Sequence, residues 1–120
     1  MTYSIEYAPL FGPLQAIDVH RLAGDVTDAW WNRTLVEVDG ALVRLGAFEG
    51  EYHWHHHDGQ DEFFLVVEGR IRVEVAGRDV IELKPGQAVV VPAGTEHRPV
   101  APERSVVLMI ERVGIDATGD

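Results

Sequence analysis

From Thr34 to Arg112 the chain alternates short runs rich in Val, Ile, Leu and Phe with reversals marked by Gly, Pro and Asp. An all-β sandwich or barrel requires this rhythm, because each strand needs an apolar face and each reversal a residue that tolerates the bend. Strands are expected near residues 34–38, 42–48, 52–56, 62–68, 70–76, 79–83, 88–91, 97–100 and 105–111, and none of these runs is long enough for a helix. Turn chemistry falls between them at Asp39-Gly40, Glu68-Gly69, Ala76-Gly77, Pro85-Gly86 and Ala93-Gly94, which supply positive φ or a preset bend. Two hairpins are expected, one joining 62–67 to 70–75 through Glu68-Gly69, the other joining that strand to 79–83 through Gly77-Arg78. Pro9, Gly12, Pro13 and Gly24 break the first third into pieces suited to edge strands or an extended arm, with a helical turn expected over 25–31. The chain therefore divides into an N-terminal arm packing on the barrel (1–33), a barrel core (34–113) and a polar tail laid on the surface (114–120), all within one structural domain.

Composition narrows the function classes. A chain of 120 residues can bury roughly two thirds of its unfolded surface, which fits one core. Ten Lys+Arg against twenty Asp+Glu give a net charge of -10, so no basic stripe exists to follow a phosphate backbone and no nucleic-acid partner is expected. Apolar runs such as 88–92 are far too short for a bilayer, and the first residues lack the basic and apolar regions of a signal peptide. A cytoplasmic protein with no membrane partner is expected. The chain has no cysteine, which excludes disulfides, thiol catalysis and thiolate ligands, so a metal here would take nitrogen and oxygen donors.

Such donors are present. In Tyr52-His53-Trp54-His55-His56-His57 a strand would turn His53, His55 and His57 to one side and Trp54 and His56 to the other. Glu62 opens the next strand after a short turn, and His97 follows the Pro92-Ala93-Gly94 bend. Three neutral imidazoles and one carboxylate suit a first-row divalent ion such as Mn, Fe, Co, Ni, Cu or Zn, and an octahedral ion would keep two positions open. Gln60 is an alternative or additional oxygen donor, because the same turn can present either residue.

The pattern resembles the cupin superfamily. Its first motif (HxH, three or four residues, Glu, six residues, Gly) is matched by His55, His57, Glu62 and Gly69, and its second (Gly, five residues, Pro, one residue, Gly, two residues, His) by Gly86, Pro92, Gly94 and His97. The interval from Gly69 to Gly86 is similar to that of compact single-domain bacterial members, and the resemblance extends over about residues 50–112. It implies a double-stranded β-helix, jelly-roll-like barrel with a divalent metal inside one mouth, commonly assembled as a homodimer. Two positions depart from the family pattern. Gly50 stands four rather than five residues before His55, and Ala101 replaces the terminal Asn of the second motif.

Other candidates are weighed by parity and type. His53 is a candidate to hydrogen-bond a metal ligand from behind or to act as an acid/base group, and His20 is read as a structural or surface residue. Phe64 and Val66 share the parity of Glu62 and are candidates for an apolar pocket wall. Arg44 interrupts an apolar strand and could anchor a substrate carboxylate or phosphate if it points inward, although an outer-face Arg is the commoner arrangement; Arg98 should face away from the ligands. The leading function class is a metal-dependent enzyme acting on a small polar metabolite, of oxygenase, isomerase or lyase type. The alternative is a non-catalytic module binding or sensing a metal or small molecule, since one fold hosts many functions.

Overall fold

A computed structural model describes residues 3–114; residues 115–120 of the expected tail lie outside the described residues. Eight strands and one short helix follow in chain order: β1 (Ser4–Glu6), α1 (Val19–Gly24), β2 (Trp30–Val38), β3 (Ala41–Glu51), β4 (Glu62–Glu68), β5 (Ile71–Val75), β6 (Ile81–Leu83), β7 (Ala88–Val91) and β8 (His97–Arg112). The fold is an all-β barrel, as the strand rhythm predicts.

One long strand organises it. β8 pairs antiparallel with β3 along most of its length, from Ala41 opposite Arg112 to Glu51 opposite Val100. Its other edge is divided: His97 to Val100 pair with β5, whereas Val106 to Ile110 pair with β4. The expected strands 97–100 and 105–111 are therefore halves of a single element. A bulge between them sets Gly50 opposite Ala101 but Phe48 opposite Ser105, which bends the strand while keeping its odd-numbered residues inward.

That division overturns one expected hairpin. β4 and β5 follow each other through Glu68-Gly69 but do not pair; β4 lies between β7 and β8, and β5 between β6 and β8. The physical reason is a corner at Gly69, which has φ 77° and runs against β8. A Cβ there would stand 2.7 Å from the Arg104 carbonyl oxygen and 2.9 Å from Ser105 Cα. Ser105 Oγ locks the corner by accepting from the Arg70 N–H at 3.0 Å and donating to the Arg70 carbonyl at 2.8 Å. The second expected hairpin is present, with Val73 opposite Ile81 and Ile71 opposite Leu83.

Two apolar layers flank the sheet. The barrel interior holds Trp30, Phe48, Phe64, Val66, Val73, Val107 and Met109. The outer face of β2 and β3 presents Leu35, Leu45 and Ala47, covered by Phe11, Ile17 and Leu22 of the N-terminal segment. Burying one Leu or Phe side chain is worth about 1.5–3 kcal/mol, so this second layer explains why β3 reads as an almost continuous apolar run rather than an alternating one.

Two further expectations need correction. The helix lies at Val19–Gly24 and not over 25–31. Asp18 Oδ1 accepts the Arg21 N–H at 3.1 Å as an N-cap, while Trp30 and Trp31 belong to β2, one entering the interior layer and the other the outer layer. Adjacent residues reach opposite layers only in an extended backbone. Residues 52–56 form no regular strand; His55 makes an isolated bridge to His97.

Candidate metal centre

That bridge assembles the site. The His55 N–H donates to the His97 carbonyl at 3.0 Å and the His97 N–H to the His55 carbonyl at 2.9 Å, joining the two motifs through their backbones. The bend ahead of His97 is held from the other side, where Gly94, with φ 75°, donates its N–H to the His57 carbonyl at 2.9 Å. The Ala93 N–H donates to Asp61 Oδ1 at 3.0 Å, and Glu62 begins β4 opposite Val91. Both motif loops are thus fastened to each other before any side chain is considered.

His55, His57, Glu62 and His97 converge within this frame. All four are buried, at 2, 5, 4 and 1% exposure, and one donor atom from each lies within 4.8 Å of the others. Donors about 2.1 Å from a common ion stand up to about 4.3 Å apart, so the cluster is within roughly half an ångström of a bonded cage. His97 Nε2 and His57 Nε2 lie 3.3 and 3.5 Å from the same oxygen, Glu62 Oε1.

Hydrogen bonding at the rear of the rings sets their tautomers. His55 Nδ1 donates to the His53 carbonyl at 3.0 Å and His97 Nδ1 to the Thr95 carbonyl at 2.7 Å, which turns each Nε2 toward the cluster, that of His97 to within 3.3 Å of Glu62 Oε1. His57 Nε2 is buried with no hydrogen-bond partner. Burial is the main influence on His55 and holds its imidazole down at about 4. Burial opposes ionisation of Glu62, but the facing side chains of His57 and His97 outweigh it and bring the carboxyl to about 2. Burial likewise opposes the charge on His97, and the Glu62 hydrogen bond reverses that and raises it. A buried carboxylate faced by three imidazoles is a donor set compatible with a divalent cation.

The other sequence candidates occupy distinct places. His53 is exposed, outside the cluster, with its Nδ1 3.1 Å from the Tyr3 hydroxyl. His56 faces outward between Glu96 and Asp58, and Arg98 also faces away, bonded to Glu74 at 2.6 Å and Glu51 at 3.2 Å. Arg44 is fully buried and points into the barrel rather than to the commoner outer face. It donates to Thr34 Oγ1 and to the Glu6 carbonyl, and its guanidinium lies 4.7 Å from the Tyr7 ring centre.

Above the cluster a small cavity of about 40 Å³ includes His55, Glu62, Phe64, Trp30 and Asn32 in its wall. Val66 lies deeper in the core and, like Arg44, does not line this cavity. Gln60 lines a separate, more open groove with Asp61, Glu62 and Glu111. Trp30 is one of the aromatics that the sequence offers for either a pocket wall or the core, and it serves both; sequence reasoning missed Asn32, which like Trp30 precedes the expected strand 34–38. The signal available was their shared parity with Thr34, which would have extended that strand backward.

The comparisons agree with this architecture. A family model described as the cupin domain matches residues 41–111. The uncharacterised protein YdbB of Bacillus subtilis (strain 168) is 37% identical over 90 residues, 75% of this chain and 80% of its own length. A cupin-2 domain containing protein from Shewanella frigidimarina NCIMB 400 superposes with a TM-score of 0.75 at 31% identity, covering 80% of this chain and 93% of that one. A chain from the crystal structures of the DMSP lyases RdDddP and RnDddQII superposes with a TM-score of 0.56 at 26% identity, over 64% of this chain and 40% of its own. With both motif loops bridged at His55 and His97, and with the family model spanning β3 to β8, this chain belongs to the cupin family.

Proposed function

We propose that His55, His57, Glu62 and His97 hold a divalent transition metal, and that the protein is a metal-dependent enzyme acting on a small polar metabolite, of lyase, isomerase or oxygenase type. The observation that carries the metal reading is the set of imidazole nitrogens gathered at Glu62: rear hydrogen bonds to carbonyls turn the Nε2 atoms of His55 and His97 toward the cluster, and the Nε2 of His57 is buried without a hydrogen-bond partner. A bound ion would satisfy all three and supply Lewis-acid or oxygen-binding chemistry. The residues of the chain do the rest. His53 and Thr95 carbonyls orient the rings, Asp61 and Gly94 hold the loops in register, and Trp30, Phe48 and Phe64 give the cavity an apolar wall.

Catalysis rather than simple binding is favoured by Tyr3, which lines the cavity and whose hydroxyl is hydrogen-bonded to His53. This pair can take or return a proton beside a ligand in the cavity. The relative among the DMSP lyases supports a bond-cleaving chemistry in this fold without specifying the substrate here. Elemental analysis of protein purified without added metal, followed by product detection and oxygen uptake over a panel of small acids, alcohols and sugars, tests the reading. One ion per chain and turnover abolished by Tyr3→Phe are expected; ion binding with no turnover of any compound would favour the binding-module reading, and no retained ion would overturn the metal site.

A further inference from the structure

The N-terminal strand forms one wall of the cavity over the cluster. Tyr3 and Ile5 line that cavity, whereas Ser4 and Glu6 turn to the other side, as alternation in an extended segment requires. β1 is a weak element by itself. It has three residues, stands at the edge of the sheet and pairs in parallel with β2 alone, an arrangement that adds little stability without further contacts. Arg33, opposite Glu6 on β2, supplies them. Its Nη1 donates to the Ser4 carbonyl at 2.8 Å and its Nη2 to the Ser4 hydroxyl at 3.0 Å, while its Nε lies 3.5 Å from Glu6 Oε2. The guanidinium is itself fixed. Nη1 also donates to the Asn32 carbonyl at 2.9 Å, the central carbon lies 5.1 Å from the Trp31 ring centre, and the side chain is only 15% exposed. A planar fork with donors on three nitrogens can hold two residues of a neighbouring strand at once, which a lysine ammonium cannot.

We propose that Arg33 is a positioning residue for this cavity: by gripping Ser4 and Glu6 from the side turned away from the cluster, it keeps β1 against β2 and so holds Tyr3 in the cavity wall. Arg33 does not line the cavity; it acts through Tyr3, whose ring packs 4.6 Å from Tyr52 and 5.8 Å from Trp30 and whose hydroxyl meets His53 at 3.1 Å. The two ends of β1 are held unequally. The Glu6 carbonyl also accepts from the buried Arg44 at 3.2 Å, so Glu6 stays tied when Arg33 is lost and the strand opens from the end that carries Tyr3. The cluster then meets solvent through a wider mouth. The inference rests on the reading of this cavity as the ligand site over a metal, and its test separates the two.

Hydrogen exchange on the metal-free chain examines the grip without reference to any ion. Arg33→Met keeps an apolar stem beside Trp31 and loses every donor; it is expected to speed exchange of the Ser4–Glu6 amides at least about 10-fold, with β3 and β8 amides changing less than about threefold. Unchanged exchange in β1 would overturn the proposal. Cobalt(II) is then loaded and its release into excess EDTA timed. Failure to bind about one ion per chain would overturn the metal reading and this proposal with it; the remaining outcomes bear on Arg33 and Tyr3 alone. Release is expected to be at least about fivefold faster in Arg33→Met and in Tyr3→Ala, and the double variant no faster than Tyr3→Ala, because two residues acting through one element are not additive. Additive effects, or release from Tyr3→Ala at the rate of the unaltered chain, would overturn the proposal. Arg33→Lys keeps a charge for Glu6 without the fork for Ser4, and decides the question if Arg33→Met fails to fold: release at least about twofold faster is expected, and the unaltered rate would overturn the grip on Ser4.

Discussion

The barrel interior holds two buried polar clusters that differ in what satisfies them. Arg44 brings five N–H donors and no acceptor; the Thr34 hydroxyl, the Glu6 carbonyl and the face of Tyr7 answer its terminal nitrogens, while its Nε has no hydrogen-bond partner. The histidine cluster brings acceptors instead, imidazole nitrogens turned toward a carboxylate, and what answers a concentration of acceptors is a cation. Glu111 stands near the first, attracting Arg44 by charge. The two sets are equally buried and differ in chemistry: one is a cation held by hydroxyl, carbonyl and aromatic groups, the other a group of imidazoles gathered on a carboxylate.

The comparison can be broken most severely at Arg44. Arg44→Met leaves Glu111 buried without its cation and should cost about 3–5 kcal/mol of stability; Arg44→Met with Glu111→Leu should recover most of it, measured by urea unfolding. If the single variant loses less than about 1 kcal/mol, the structural reading of this cluster is wrong. At the other cluster the loss should appear in metal affinity. His55→Ala or His97→Ala should weaken binding by on the order of 100-fold in competition with a chelator, and should remove the stabilisation that added metal provides.

Next in size is a pH effect on the metal-free protein. The folded value of His55, about 4 against an ordinary 6.5, lets the unfolded chain take its proton first, so stability falls as pH drops from 6.5 to 4. Glu62, about 2 against 4.5, extends the loss from pH 4.5 toward 2. His97 is raised, so its contribution is complete below 6.5 and is lost as pH rises through its folded value. Stability should therefore peak near pH 6.5, each limb sloping by up to about 1.4 kcal/mol per pH unit per proton. His55→Ala should flatten the limb between pH 6.5 and 4, and His97→Ala the alkaline limb; a profile unchanged by either would refute the assignment. The smallest effect is expected at His20, an exposed residue 3.5 Å from Glu68, where His20→Ala should change stability by less than about 0.5 kcal/mol and leave metal content unchanged.

Much of the fold was legible because strands and turns are local. Period-two alternation and turn residues located β4, β5 and β7 within a residue or two, and the inward parity of Glu62 and Phe64 could be read directly. The cluster was legible because its members sit at strict intervals around the bends that bring them together. His53 shares the parity of His55 and His57 but not their place, since residues 52–56 are held by a single bridge and not by a continuous ladder that would keep alternation in force.

By itself, then, the sequence determined the β class and the absence of sulfur ligands, from short-range periodicity and composition, and it named the four clustered side chains through the resemblance of their spacing to the cupin motifs. Only the tertiary structure decided that β4 and β5 separate at Gly69 to pair with different halves of β8, that Arg44 turns inward, and that Trp30 and Asn32 face the cavity. Those outcomes depend on which distant strand supplies the partner edge and on which face the N-terminal segment covers. Such choices are made by the free energy of the whole packed core, and no local stretch of residues encodes them.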